Sequence, residues 1–201
     1  MERSVIEFRE YLTAAAGHSR PAGAVHAGCP LAAADFRHVS LLTMLFSVGQ
    51  DTTQHLIGNV LLPLHQAPDL LERIRAERWL LPKAIKELAR YDTPVQLVVR
   101  VAREDVTIGE WTIQRGDRVH LLIGAANRAA EVFAEPDAID FDRHESNTLL
   151  FGAGIHVCLG LHLALLVAGA VVERLLDRFE RLQLVPGGAR RARSVHMRGL
   201  D

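Results

Sequence analysis

The sequence has little cysteine, little net charge and no long apolar run. Two cysteines, Cys29 and Cys158, stand in settings too different to suggest a disulfide framework. That excludes the small, disulfide-stapled class of fold. The formal net charge is −1 over 201 residues, so composition offers nothing to attract nucleic acid or an acidic substrate. The basic run Arg190, Arg191 and Arg193 is short and reads as a solvated tail. The longest apolar stretch, Leu161 to Val172, contains His162 and Gly169 and falls short of the roughly 20 residues a bilayer demands. The first residues carry charges and lack an apolar core followed by small residues, so they do not read as a secretory signal. Together these absences point to a cytoplasmic, reducing setting with neither membrane nor nucleic acid as partner. Internal repeats, low-complexity tracts and a Gly-x-Gly-x-x-Gly nucleotide fingerprint are also missing.

What is present suits one domain over residues 1–201, since 49% of the residues are hydrophobic. Phe8, Leu12 and Ala15 give Val5 to Ala16 a helical spacing, and Gly17 to Pro30 reads as a loop. A long helix is predicted from about 35 to 66, capped by Asp35 and ended before Pro68, with Pro63 kinking it or stopping it early. Leu41, Leu42, Met44, Leu45, Phe46 and Val48 cannot share one face, and neither can Leu56, Ile57, Val60, Leu61, Leu62 and Leu64. A helix apolar all round needs cover on every side. Short helices are predicted over 70–78 and 82–91. Short strands follow between 95 and 123, at Leu97 to Val101, Val106 to Ile108, Trp111 to Ile113 and Val119 to Ile123. A loop at 151–160, a helix from Leu161 to about Phe179 and a strand-like Leu182 to Val185 complete the pattern. The expected class is mainly α with a small β component.

The loop Phe151-Gly-Ala-Gly-Ile-His-Val-Cys158-Leu-Gly160 carries the chemistry. Gly152, Gly154 and Gly160 remove side chains where something flat or bulky would lie. Cys158 stands just before a helix, where unsatisfied N–H groups and the dipole favour a thiolate, the form that binds metal. The bland alternative is an inert cysteine on a glycine-rich turn. A zinc site from His156, Cys158 and His162 is a third reading, weakened by the lack of a second cysteine–histidine pair at a fitting spacing.

This loop resembles the heme-binding signature of the cytochrome P450 family, particularly its bacterial soluble members. The resemblance implies heme b, with Cys158 as the axial thiolate on iron. A thiolate there pushes electron density onto the iron. It also implies that His156 and Arg100, in Val-Val-Arg-Val-Ala, hold heme propionates, and that Phe151, Gly152 and Gly49 lie against the cofactor. Glu87-Leu-Ala-Arg90, followed by Tyr91-Asp-Thr-Pro-Val-Gln, resembles the family's Glu-x-x-Arg segment. By that resemblance the pair joins Arg143 in a network holding the proximal side. Val48-Gly-Gln-Asp51-Thr52-Thr53 resembles the distal segment, where an acid and an alcohol assist proton delivery.

The resemblance covers only the family's C-terminal half, implying a truncated fold built around a long distal helix and a proximal cysteine-loop helix. Single positions depart from the pattern. Val48 replaces alanine or glycine, Thr148 a histidine, Leu161 a small residue, Leu165 an arginine and Pro63 a good helix former. The reading that follows is a heme-thiolate oxidoreductase or monooxygenase acting on an apolar, natural-product-type small molecule. Its electrons would come from a separate redox partner, or from peroxide. The apolar long helix implies a homo-oligomer or a protein that supplies the missing half. The alternatives are a non-catalytic partner-binding module and a heme-free enzyme of other chemistry.

Overall fold

The computed structural model describes residues 10, 36–144 and 148–200. Apart from Glu10, the helix expected at Val5 to Ala16 lies outside the described residues, as do the following loop with Cys29 and the Asp35 cap. Chain contacts divide the protein into two units, Met1–Asp51 and Thr52–Asp201.

A helix, α1, runs from Phe36 to Gln66 and so spans the division. In the first unit Leu41, Met44, Leu45, Phe46 and Val48 are exposed and Leu42 is half-buried. In the second unit the helix settles into one buried stripe, Leu56, Val60 and Leu64, at the four-residue spacing of a single face. The early stop offered at Pro63 does not occur, and the helix ends at Gln66 as its predicted bounds have it. The helix continues three residues further, and the Ala67 N–H closes its last turn on the Pro63 carbonyl at 2.9 Å. A proline so near the end removes only one ladder bond.

The second unit builds its core from three further helices. Helix α2, Pro68–Ala76, starts two residues earlier than predicted, because proline suits a first helical turn. A 3-10 turn, Arg78–Leu80, leads into α3, Leu81–Tyr91. Buried Leu81, Ala84, Ile85 and Leu88 recur on α3 at three- and four-residue steps. Strand β1, Val98–Val101, pairs antiparallel with β4, Arg118–Leu121, while β2, Val106–Ile108, pairs with β3, Trp111–Ile113, in a separate hairpin. The chain leaves β4 before Ile123, which the strand prediction had included; buried Ile123 instead begins a one-turn helix, α4, Ile123–Ala126.

Helix α5, Leu161–Arg178, buries Ala168, Val172 and Leu176 and packs on α3. Arg75 of α2 donates to the carbonyls of Leu176, Phe179 and Glu180 at 2.7–3.1 Å, satisfying the open end of α5. Beyond it, Leu182 to Val185 is not a strand. The backbone pairing at this end of the chain lies further on, where Met197 bridges Val95 and Leu200 bridges Arg191. One apolar cluster joins α1, α2, α3 and α5 with Phe141 and Leu150, the latter just ahead of the cysteine loop. Each large aliphatic side chain sunk in it contributes about 1.5–3 kcal/mol.

Candidate cofactor site

The cysteine loop holds its shape through its own backbone. The Gly152 N–H donates to the Leu149 carbonyl at 3.0 Å, and the Cys158 N–H donates to the Phe151 carbonyl at 2.8 Å. Between them Gly154–His156 forms a 3-10 turn, and the Leu161 N–H reaches back to the Cys158 carbonyl at 3.3 Å as α5 begins. Gly152 is required here. Its φ is +76°, and a Cβ would stand 2.5 Å from the His156 carbonyl oxygen. Gly160 differs: a Cβ there would meet only the Cys158 Sγ, at an ordinary 3.9 Å.

Phe151 packs against the core, while the side chains further along the loop are exposed. Cys158 is a free, exposed thiol. Around it Ile155 is 97% exposed and Leu159 87% exposed, with Val157 and Leu163 also uncovered. Four exposed aliphatic residues near this thiol in sequence are side chains suited to meeting a flat apolar group with a metal at its centre. Among the described residues no cluster of three His, Cys, Asp or Glu side chains is placed to hold a bare metal ion, which removes the zinc reading.

On the inner side of the loop lies a buried ion network. Glu87 and Arg90 share a face of α3 three residues apart. Arg90 forks onto Glu87, with Nε to Oε2 at 2.8 Å and Nη2 to Oε1 at 2.9 Å, and Arg143 Nε adds a bond to Oε1 at 3.0 Å. The remaining guanidinium donors reach backbone carbonyls of Asn127, Pro136 and Ala138 from Arg90, and of Ala134, Glu135 and Ala138 from Arg143. Burial pushes the Glu87 carboxyl up, but the bonds from Arg90, the Asp140 N–H and Arg143 outweigh it and hold the group below its ordinary value.

The structure thus brings Glu87, Arg90 and Arg143 together, and ties Phe151 and Gly152 to Cys158 and His156. His156 is exposed in the 3-10 turn. Arg100 stands exposed on β1 opposite Val119, its Nη1 donating to the Val99 carbonyl at 2.9 Å. Gly49 and Asp51 are exposed on the part of α1 in the first unit, and Thr52 is half-buried at the start of the second.

Two clusters escaped the sequence reading. Buried Asp92 accepts from Arg198 Nε at 2.6 Å and from Arg191, while Asn59 of α1 bonds to Arg191, to the Asp92 carbonyl and to the Arg198 carbonyl. Arg191 is therefore no part of a solvated tail; it helps clasp the chain end to the core. The second cluster centres on Asn127, which is 0% exposed and bonds to Thr93, Thr148 and Leu149. Asparagine after a turn is ordinary in sequence, so only the fold reveals it.

The protein-family comparison matches the cytochrome P450 model over residues 37–193. The chain belongs to the cytochrome P450 family. It is 41% identical over 146 residues to a putative cytochrome P450 133B2 of Xylella fastidiosa, covering 73% of this chain and 36% of that protein. It is 42% identical over 145 residues to a biotin biosynthesis cytochrome P450 of Bacillus subtilis, covering 72% and 37%. Among solved structures it is similar to CYP109E1 of Bacillus megaterium, crystallised with corticosterone, with TM-score 0.89 and 29% identity over 99% of this chain and 56% of that one. The alignments thus span little more than a third of these curated relatives and just over half of the solved chain. The mainly helical architecture with its small β component is the cytochrome P450 fold over the part this chain spans. Membership implies heme b with a thiolate-bound iron, and the free thiol among uncovered aliphatic residues fits that group.

Proposed function

We propose that this chain forms the heme-binding part of a heme-thiolate monooxygenase acting on an apolar, natural-product-type small molecule. The observation that carries the reading is the exposed Cys158 thiol on a loop closed by backbone bonds from Gly152 to Leu149 and from Cys158 to Phe151. Cys158 would hold the heme iron through its thiolate. Ile155, Val157 and Leu159 exclude water around it. Phe151, Gly152 and Gly49 are residues that would line the cofactor, and His156 and Arg100 would hold its propionates, a task to which the Arg100 guanidinium is suited. Asp51, exposed on α1, takes protons from solvent and passes them to the adjacent Thr52 hydroxyl. Glu87, Arg90 and Arg143 keep the loop rigid from below. When bound, the heme supplies the activation of an oxygen donor for insertion into an unactivated bond. Electrons come from a separate redox protein, or peroxide replaces them.

The uncovered Leu41, Met44 and Leu45 support a further element of the proposal. A second copy of the chain, or a protein equivalent to the part of the relatives this chain does not span, covers this stretch and completes the pocket. The solved relative holding corticosterone supports a substrate that is small and largely apolar.

The test is reduction of the heme-loaded protein under carbon monoxide. A red-shifted Soret band that disappears in Cys158→Ala is expected. A chain that takes up no heme under any condition would overturn the reading. Light scattering reports the oligomer, and a monodisperse monomer with no dye-binding apolar surface would remove that part alone.

A further inference from the structure

A hydrogen-bonded route runs from the buried ion network to the cysteine loop, and it converges on the Asn127 side chain. Asn127 ends the one-turn helix α4, its N–H on the Ile123 carbonyl at 3.0 Å. Its own carbonyl accepts from Arg90 Nη1 at 2.8 Å. Its Nδ2 donates to Thr93 Oγ1 at 3.0 Å, and that hydroxyl in turn donates to the Arg90 carbonyl at 3.0 Å. On the other side Oδ1 accepts twice, from the Leu149 N–H at 2.8 Å and from Thr148 Oγ1 at 3.0 Å. Leu149 then accepts the Gly152 N–H, whose neighbour Phe151 accepts the N–H of Cys158.

The position demands one donor on one side and two acceptor lone pairs on the other, at a fully buried side chain. Among neutral side chains of this length only asparagine supplies that set. Aspartate would lack the donor to Thr93 and would bury a second carboxylate near Glu87. The Thr148 hydroxyl also accepts the Leu150 N–H at 3.2 Å, so the stretch entering the loop is held at two successive amides.

We propose that Asn127 is the positioning residue of the cysteine loop: it transmits the fixed geometry of Arg90 to Leu149 and so sets the placement of Cys158. The reading rests on the cofactor role proposed for Cys158, but its test does not need the cofactor. In the cofactor-free chain, amide exchange is followed by mass spectrometry in Asn127→Ala, Thr148→Val and Thr148→Ser. Loss of one such bond releases an amide about five- to tenfold. Asn127→Ala is expected to speed exchange across 149–158 by that factor while α2 stays protected. Thr148→Val should loosen the amides of Leu149 and Leu150 to a lesser degree, and Thr148→Ser should restore them. Iodoacetamide labelling of Cys158, in a Cys29→Ser background, should change rate in the same order of variants.

Unchanged exchange over 149–158 would overturn the proposal, and so would an equal rise in every helix, which marks a purely global role. Should Asn127→Ala fail to fold, the Thr148→Val and Thr148→Ser pair decides alone: no difference between them sinks the idea. With heme bound, Asn127→Ala is expected to lose the red-shifted carbon monoxide band while retaining heme. A wild-type chain that binds no heme defeats the proposed function, whereas the exchange pattern still judges Asn127.

Discussion

The two ends of helix α1 have similar composition and opposite fates. Leu45, in the first unit, is 41% exposed; Leu64, in the second, is 0% exposed. Both lie in runs too apolar for a one-sided surface helix. The difference is what surrounds them. Leu64 meets the cluster shared by α2, α3 and α5, whereas Leu45 and its neighbours stay uncovered. A similar contrast divides the cysteine loop. Its inner side is anchored through Leu149, Asn127 and the Glu87 network, with nearly every donor satisfied, while its outer side presents Cys158 among bare aliphatic residues. The buried parts are closed by packing and hydrogen bonds, and the exposed parts are not.

The contrast breaks most severely at Arg90. Arg90→Ala leaves Glu87 buried without its fork and should cost about 3–5 kcal/mol in denaturant unfolding; a cost under about 1 kcal/mol would show that the network is ornamental. Leu64→Ala should cost about 2–5 kcal/mol, because the packed cluster cannot collapse fully onto the space left. Next is acid. Glu87 is held below its ordinary value, so its contribution is present above the unfolded carboxylate value of 4.5 and lost as pH falls through the lower folded value. Stability measured from pH 7 to pH 3 should therefore fall less steeply in Glu87→Gln than in wild type, after allowing for the lower starting stability. Equal acid slopes would refute the assignment. The smallest effect belongs to Leu45→Gln, within about 0.5 kcal/mol for the isolated chain. Its consequence should appear instead as weaker self-association or weaker capture of a completing partner, read by light scattering.

The parts legible in the sequence were those with local signatures. The cysteine loop is contiguous, and its glycines and cysteine occur within ten residues. The Glu87–Arg90 pair follows from helical spacing. The bounds of α1 follow from apolar density and from Pro68. Illegible were the pairings between distant segments. Arg191 meets Asp92 across 99 residues of chain, and Asn127 meets Thr93 across 34. Nothing in the run Arg190-Arg191-Ala192-Arg193 separates the half-buried, ion-paired arginine from the exposed Arg190 and Arg193, because that pairing is conferred by the elements that fold against it. Leu182 to Val185 shows the reverse error. Alternating apolar residues suit a strand, but a strand exists only where a partner edge is available.

Sequence by itself determined that a cysteine in a glycine-rich loop stands just before a helix, and that Glu87 and Arg90 share a helical face three residues apart, since each depends on neighbours within a few residues. Only the tertiary structure decided which apolar residues of α1 are core and which are bare. It also decided that Arg191 is a clasp and that Asn127 joins the network to the loop. The physical reason is that local conformation is set by spacing along the chain, whereas burial and buried hydrogen bonds are set by segments that meet only after folding.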